Sequence, residues 1–246
     1  GLIVDANILF PSEYPYTSST TKILRENFSE LYDEANNLLE LSKDDLIIDI
    51  GSNDGNLLSN FKTNHRVLGV TPEEIGKLAI QKGIPTIIDY FNQDVADQIL
   101  ETYGKAKVIT ATNVFAHIDE PNKITQLISN LLTDDGVFIS ESHYLASLIE
   151  TLQYDTIYHE HLRYYSLSSL KFLLNKNGLH PFHATKIKTH GGSIRVYASK
   201  LNQNDENESI KDILEEEKDI ISYPSLLKFK DNVLNSKLKL MSLLDS

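Results

Sequence analysis

Apolar and polar positions change period repeatedly along the chain, and the changes mark out its elements. From Thr20 to Leu41 the residues Ile23, Leu24, Phe28, Leu31, Ala35, Leu38 and Leu39 recur every three or four positions, the spacing of one helix face. The preceding run, Phe10-Pro11-Ser12-Glu13-Tyr14-Pro15-Tyr16-Thr17-Ser18-Ser19, has no period. It reads as a loop, with Ser18 or Ser19 as a hydroxyl N-cap. Leu46-Ile47-Ile48-Asp49-Ile50 is an apolar run of strand length holding one carboxylate; a turn with Gly51 and Gly55 follows, and Leu57, Leu58 and Phe61 restart a helical spacing. Further strands are expected at 66–70, 86–89, 107–111 and 137–141, separated by helices at 73–82, 92–102 and 121–132. Such alternation predicts a parallel sheet with helices on both faces.

Beyond residue 143 the rhythm changes. A helix at 144–152 is interrupted by the polar, aromatic stretch Tyr154 to Tyr165, and Ser166 caps another helix reaching Asn175. Two strands, 181–187 and 193–199, are joined through His190-Gly191-Gly192, and 207–245 reads as helical, polar and weakly amphipathic. The pattern divides the chain into a loop and helix (1–42), a main domain (43–200) with an inserted segment at 144–178, and a helical tail (201–246).

Composition narrows the function. With 246 residues, 41% hydrophobic and 24% charged, the chain matches an ordinary globular protein. The net charge is −12, and no Lys/Arg cluster offers a phosphate backbone a surface, so nucleic acid is not an expected partner. No apolar run is long enough to span a bilayer and no signal peptide is evident. Cysteine is absent, which excludes disulfides and thiolate metal sites and fits a cytoplasmic setting. The acidic run at Glu215, Glu216 and Glu217 reads as a solvated helix face. No pattern sets an oligomeric state.

The strand–Gly turn–helix unit at 46–61 is where open α/β sheets take up nucleotides. It lacks the Lys-Ser/Thr of a P-loop and the spacing of a dinucleotide fingerprint. Histidine is uneven: seven of the eight lie at or after His117. Tyr158-His159-Glu160-His161 gathers a phenol, two imidazoles and a carboxylate, the equipment for abstracting a proton and stabilising the oxyanion that develops. His117 follows the fourth strand, at the sheet's carboxyl edge, and is expected to face the same crevice. A metal reading of His-Glu-His is disfavoured, because the ligands are adjacent rather than one helical turn apart; a hydrogen-bonded surface loop is the plainer alternative. Tyr14 and Tyr16 suit the wall of a polyhydroxylated ligand's pocket, and Arg195, after His190-Gly191-Gly192-Ser193, suits a phosphate.

The turn Asp49-x-Gly51-x-x-x-Gly55 resembles motif I of class I methyltransferases, which use S-adenosylmethionine. Four stretches together resemble the sugar C-methyltransferase family, which acts on nucleotide-linked deoxy-ketosugars: Asp49 to Gly55; Asn113-Val114-Phe115-Ala116-His117-Ile118; Tyr158-His159-Glu160-His161 with Tyr164 and Ser166; and His190 to Arg195. The resemblance implies a Rossmann-like α/β fold, a seven-stranded, mostly parallel sheet with helices on both faces. It places S-adenosylmethionine over Asp49, Gly51, Ser52, Asn53, Gly55 and Asn56, with Thr71 and Asn113 at neighbouring strand ends. It makes His161 the base, with Tyr158, Glu160 and His117 about the substrate oxygens, and Tyr14, Tyr16, His159, His190 and Arg195 as further substrate contacts. The family's Cys-rich zinc domain has no counterpart in a chain without cysteine, so no metal is expected. The family's second α/β domain is longer than the stretch after Lys200. The acid that ends the family's second strand falls at Thr71, with Glu73 and Glu74 just beyond. An O-methyltransferase and a non-catalytic sugar-nucleotide binder are the competing readings.

Overall fold

The computed structural model describes residues 17–200 and 207–245 together with Ile8 and Pro11; the side chain of His190 lies outside that description. Seven strands form one sheet: β1 (Leu46–Ile50), β2 (Arg66–Thr71), β3 (Thr86–Ile88), β4 (Ala106–Thr112), β5 (Leu132–His143), β6 (His180–Ile187) and β7 (Ser193–Ser199). Their spatial order is β3-β2-β1-β4-β5-β7-β6. β1 to β5 pair in parallel, and β7 inserts antiparallel between β5 and β6. The order reverses between β1 and β4, so a crevice opens where their carboxyl ends diverge, the usual ligand position in open α/β sheets.

Side-chain alternation sends each strand into two cores. On one face Ile47, Val67, Val108, Val137 and Ile139 pack against α1 (Lys22–Leu38) and α2 (Leu58–Phe61) through Phe28, Leu31, Leu57 and Phe61. The short helix α3 (Gly76–Gln81) joins them through Ala79. On the other face Ile48, Ile50, Leu68, Ile109 and Phe138 pack against α4 (Gln93–Tyr103), α5 (Pro121–Leu131), α6 (Leu145–Glu150), α7 (Leu167–Lys176) and α8 (Glu208–Ile220). The last helix, α9 (Tyr223–Leu244), buries none of its residues.

Local chemistry moved several boundaries. Ser18 does not cap α1: it lies in a 3-10 turn (Ser18–Thr20), and its hydroxyl donates to Asp54 at 2.7 Å. Thr21 occupies the cap position instead. β5 begins at Leu132, five residues before the expected strand at 137–141, and residues 133–136 form a bulge where pairing with β4 jumps from Ala106↔Leu132 to Val108↔Val137. The acidic run is not wholly solvated. Glu217 is buried and accepts from the Tyr144 hydroxyl (2.9 Å), from Ser168 N–H (3.0 Å), from the Ser168 hydroxyl and from Leu167 N–H. A carboxylate at the amino end of α7 satisfies donors the helix cannot. It also clamps Tyr144 at the start of the inserted segment 144–178, where Tyr144 bridges Tyr165.

Candidate active site

A cavity of about 870 Å³ occupies the crevice at the carboxyl ends of β1 and β4. Its first half is built by strand ends. The turn after β1 folds back so that Gly51 N–H and Ser52 N–H both donate to the Val70 carbonyl of β2. Gly51 has φ +77°, and a Cβ there would stand 2.3 Å from Val114 Cγ2. Both the backbone conformation and the space demand glycine. Asn53 (φ 51°) and Asn113 (φ 58°), after β1 and β4, are left-handed as well, a conformation asparagine tolerates better than most residues. Both line the cavity, with Asp49, Gly51 and Ser52.

Asp49 is 2% exposed and accepts a hydrogen bond from the Thr110 hydroxyl at 2.6 Å. Among the described residues no cation pairs with it. Burial pushes its carboxyl up to about 7, against the opposing pull of Thr110.

Three residues assigned to the cofactor from sequence do not line this cavity. Gly55 is off the cavity; a Cβ there would meet Ala79 and Ile84 at 2.9 and 2.8 Å, so it serves close packing of the turn on α3. Asn56 is buried away from the cavity. Thr71 is buried too, and its hydroxyl donates to Glu73. Glu73 itself lines the cavity, so the acid beyond β2 sits two residues later than the strand's end. Asp89, Tyr90, Phe91 and Asn92, after β3, complete this half and were missed from sequence. Their signal was positional: each lies at the carboxyl edge of a strand correctly placed.

The second half is an imidazole wall. His117 follows β4 in a 3-10 turn (Phe115–His117), and its Nδ1 lies 2.7 Å from the Glu160 carbonyl oxygen. A carbonyl only accepts, so Nδ1 carries the hydrogen. The His161 ring stands 5.3 Å from His117 and 4.5 Å from Tyr158, centroid to centroid, and its Nε2 is 3.2 Å from the Tyr158 hydroxyl. His117, Tyr158, Glu160 and His161 all line the cavity that Gly51 lines. His143, Gln153 and Thr156 line it too, and were also missed. His143 ends β5, so the carboxyl-edge rule that found His117 would have found it.

The remaining sequence candidates separate. His159 is exposed and off the cavity. Tyr14 and Tyr16 and the His190 side chain lie outside the described residues. Arg195 is off the cavity. It is 1% exposed in the middle of β7, paired with Glu141 at 2.8 Å and Glu34 at 2.8 Å, and donates to Asn27. Residues of a strand interior point into the layers, not past the sheet's edge. Among the described residues Lys123 is the one Lys or Arg lining the cavity. No described group of three or more His, Asp or Glu could hold a metal ion. No described helix is long and apolar enough to cross a membrane.

Comparison with known proteins agrees with this geometry. Residues 23–184 match the family model of a methyltransferase domain, and residues 188–246 match a C-methyltransferase C-terminal domain. The chain is 33% identical over 199 residues to the C-methyltransferase NovU of Streptomyces niveus, a match covering 80% of this chain and 47% of that protein. The chain thus spans about half the length of this curated relative. Among solved structures, magnesium protoporphyrin IX methyltransferase of Synechocystis with bound SAH superimposes with TM-score 0.55 at 17% identity, covering 72% of this chain and 83% of that one. An S-adenosylmethionine-dependent methyltransferase of Clostridium acetobutylicum does so with TM-score 0.54 at 15% identity, covering 74% and 93%. At these identities the structural likeness is one of fold. The family match, the shared sheet and the cavity at its switch point lead to one conclusion: the chain belongs to the S-adenosylmethionine-dependent methyltransferases.

Proposed function

We propose that the chain transfers a methyl group from S-adenosylmethionine to a carbon next to a ketone, in a deoxysugar carried on a nucleotide. The observation that supports this most is the shared cavity: the Gly51 turn lines one end, and His161, Tyr158, Glu160 and His117 line the other. The residues present suit the donor. Asp49, a buried carboxylate without a cationic partner among the described residues, lies beside the Gly51 turn, and an ammonium group there would supply a counter-charge. Glu73 suits a vicinal diol, and the Tyr90–Phe91 pair suits an aromatic base. When bound, the sulfonium supplies an electrophilic methyl group.

The protein's own task is to make carbon a nucleophile. In this reading His161 removes the proton from the carbon beside the ketone, and the C–H electrons move onto the ketone oxygen as an enolate, an enediolate where that carbon carries a hydroxyl. Tyr158 donates to the oxygen on which that charge develops, Glu160 positions a hydroxyl of the sugar by accepting from it, and His117 lines the far side. The His117 hydrogen bond to the Glu160 carbonyl ties the turn after β4 to the catalytic segment, so both arrive together. Methylation of an oxygen would need no carbon acid chemistry, and so would not call for this wall. The resemblance to a C-methyltransferase over residues 188–246 and to NovU supports the carbon acceptor.

The test is an incubation with methyl-labelled S-adenosylmethionine and a panel of nucleoside-diphosphate ketosugars in heavy water. Expected are label on carbon and substrate-dependent exchange of one carbon-bound hydrogen. His161→Ala should abolish both, a loss of about 100-fold or more, while calorimetry still shows cofactor binding. Label on oxygen, or transfer that survives His161→Ala, refutes the assignment.

A further inference from the structure

Gly191 and Gly192, in the turn between β6 and β7, line no part of the cavity, yet their surroundings are full. A Cβ on Gly191 (φ +76°) would stand 2.1 Å from Gln153 Oε1, and one on Gly192 (φ +119°) would stand 2.5 Å from Ser147 Oγ. Gln153 itself lines the cavity. Its Nε2 donates to the Gly191 carbonyl at 2.6 Å and to the Thr151 hydroxyl. The Thr151 hydroxyl in turn donates to the Ser147 carbonyl at 2.6 Å, so it accepts from Gln153. These partners settle which end of the amide is which. Oε1 is the atom that faces His143 Nε2, 3.2 Å away. An amide oxygen only accepts, so His143 Nε2 carries a hydrogen. The His143 ring stands 6.1 Å from His161 and 6.4 Å from Tyr164, centroid to centroid. Leu152, just before Gln153, has φ 58°, a strained conformation that persists where its surroundings enforce it.

We propose that Gln153 is a positioning residue of the methyl-transfer site. Anchored on the Gly191 carbonyl, it holds His143 with hydrogen on Nε2 and sets the His143–His161 wall against which the acceptor lies. The glycine pair is there to let Gln153 and Ser147 approach the turn. This inference rests on the C-methyl transfer proposed above.

The experiment uses Gln153→Leu, close in volume but unable to bridge Gly191 and His143, and Gly191→Ala, which displaces Gln153 without altering a cavity residue. Expected for each is a fall in kcat of about 10- to 100-fold, as for a misplaced reacting group. The dissociation constant for S-adenosylmethionine and the melting temperature should change little for Gln153→Leu. The double variant should lose no more than the worse single one, since both break one chain of contacts. Long-range proton–nitrogen NMR of the imidazoles, without substrate, should show His143 protonated on Nε2 in the wild type and a changed tautomer balance in Gln153→Leu. A kcat within twofold of wild type, or losses of activity, cofactor affinity and melting temperature in parallel, overturns the proposal. If the wild type turns over no ketosugar, the functional reading fails, and the spectrum decides alone: His143 protonated only on Nδ1, or unchanged in Gln153→Leu, overturns the role of Gln153.

Discussion

On the proposed function, Asp49 would make the binding of S-adenosylmethionine depend on pH in a calculable way. The folded chain without ligand holds this carboxyl at about 7 because burial strips it of water. If the donor's ammonium settles beside it, only the carboxylate form binds well, and the apparent affinity scales with the carboxylate fraction. At pH 6 that fraction is about one tenth, so the dissociation constant is about tenfold weaker than its limit, and at pH 5 about 100-fold. The ligand's own α-amino group titrates at roughly 7.7–8.0, so affinity declines again above that range and peaks between about pH 7 and 8. Binding at pH 6 should release about 0.9 proton from Asp49. Titration calorimetry in two buffers of different ionisation enthalpy reads that number directly. Asp49→Asn removes the acidic limb and the proton release, and weakens binding at pH 7.5 by about 10- to 100-fold, the loss of one charge-assisted hydrogen bond. The unliganded chain moves the opposite way. A folded-state carboxyl raised above its unfolded value of 3.8 favours folding while protonated, and that contribution fades as pH rises through about 7. About three units correspond to about 4 kcal/mol, so Asp49→Asn should flatten this decline in melting temperature. A dissociation constant that stays level between pH 5.5 and 7.5, with no proton release, would refute the reasoning.

Two further predictions concern how the scaffold is held. Burial pushes the Glu34 carboxyl up, but hydrogen bonds from His183, Thr185, Arg195 and Tyr197 outweigh it and hold it at about 2. That stabilisation, up to about 3 kcal/mol, is present above pH 4.5 and lost as pH falls from there towards 2; thermal melts of Glu34→Gln should lie lower at pH 7 and lose this acid-dependent step, and an unchanged pH profile would exclude the network. Glu217→Ala leaves the Tyr144 hydroxyl and two amide groups at the start of α7 without their acceptor, a loss of about 3 kcal/mol. Denaturant unfolding should register it, with a larger fall in kcat than in cofactor affinity because Tyr144 and Leu167 flank the catalytic segment; a stability within about 0.5 kcal/mol of wild type counts against the clamp.

Much of this molecule is local. Continuous apolar runs with turn signals between helical patterns specify the parallel sheet, because a strand covered on both faces is buried along its whole length, as Leu46 to Ile50 is, with Asp49 its one polar residue. The positions of Gly51 and His117 near one crevice were likewise legible, since ligands gather where strands end; the place of His161 there was pointed to only by the family resemblance. What composition and spacing left undecided is which polar residues turn inward to pair. Arg195 looked like a phosphate ligand and is a buried counter-ion. Glu217 looked solvated and is a helix cap. Gly55 looked like a cofactor contact and is a packing glycine. Each depends on a partner far away in sequence (Glu34 and Glu141, Tyr144, Ile84), and only the folded chain brings those partners within a few ångströms. The same holds for His143 and Gln153, whose hydrogen-bond chain to Gly191 exists because β5, the catalytic segment and the β6–β7 turn converge. Burial periodicity is written residue by residue; the pairing of buried polar groups is a property of contacts across the sheet, and tertiary structure alone decides it.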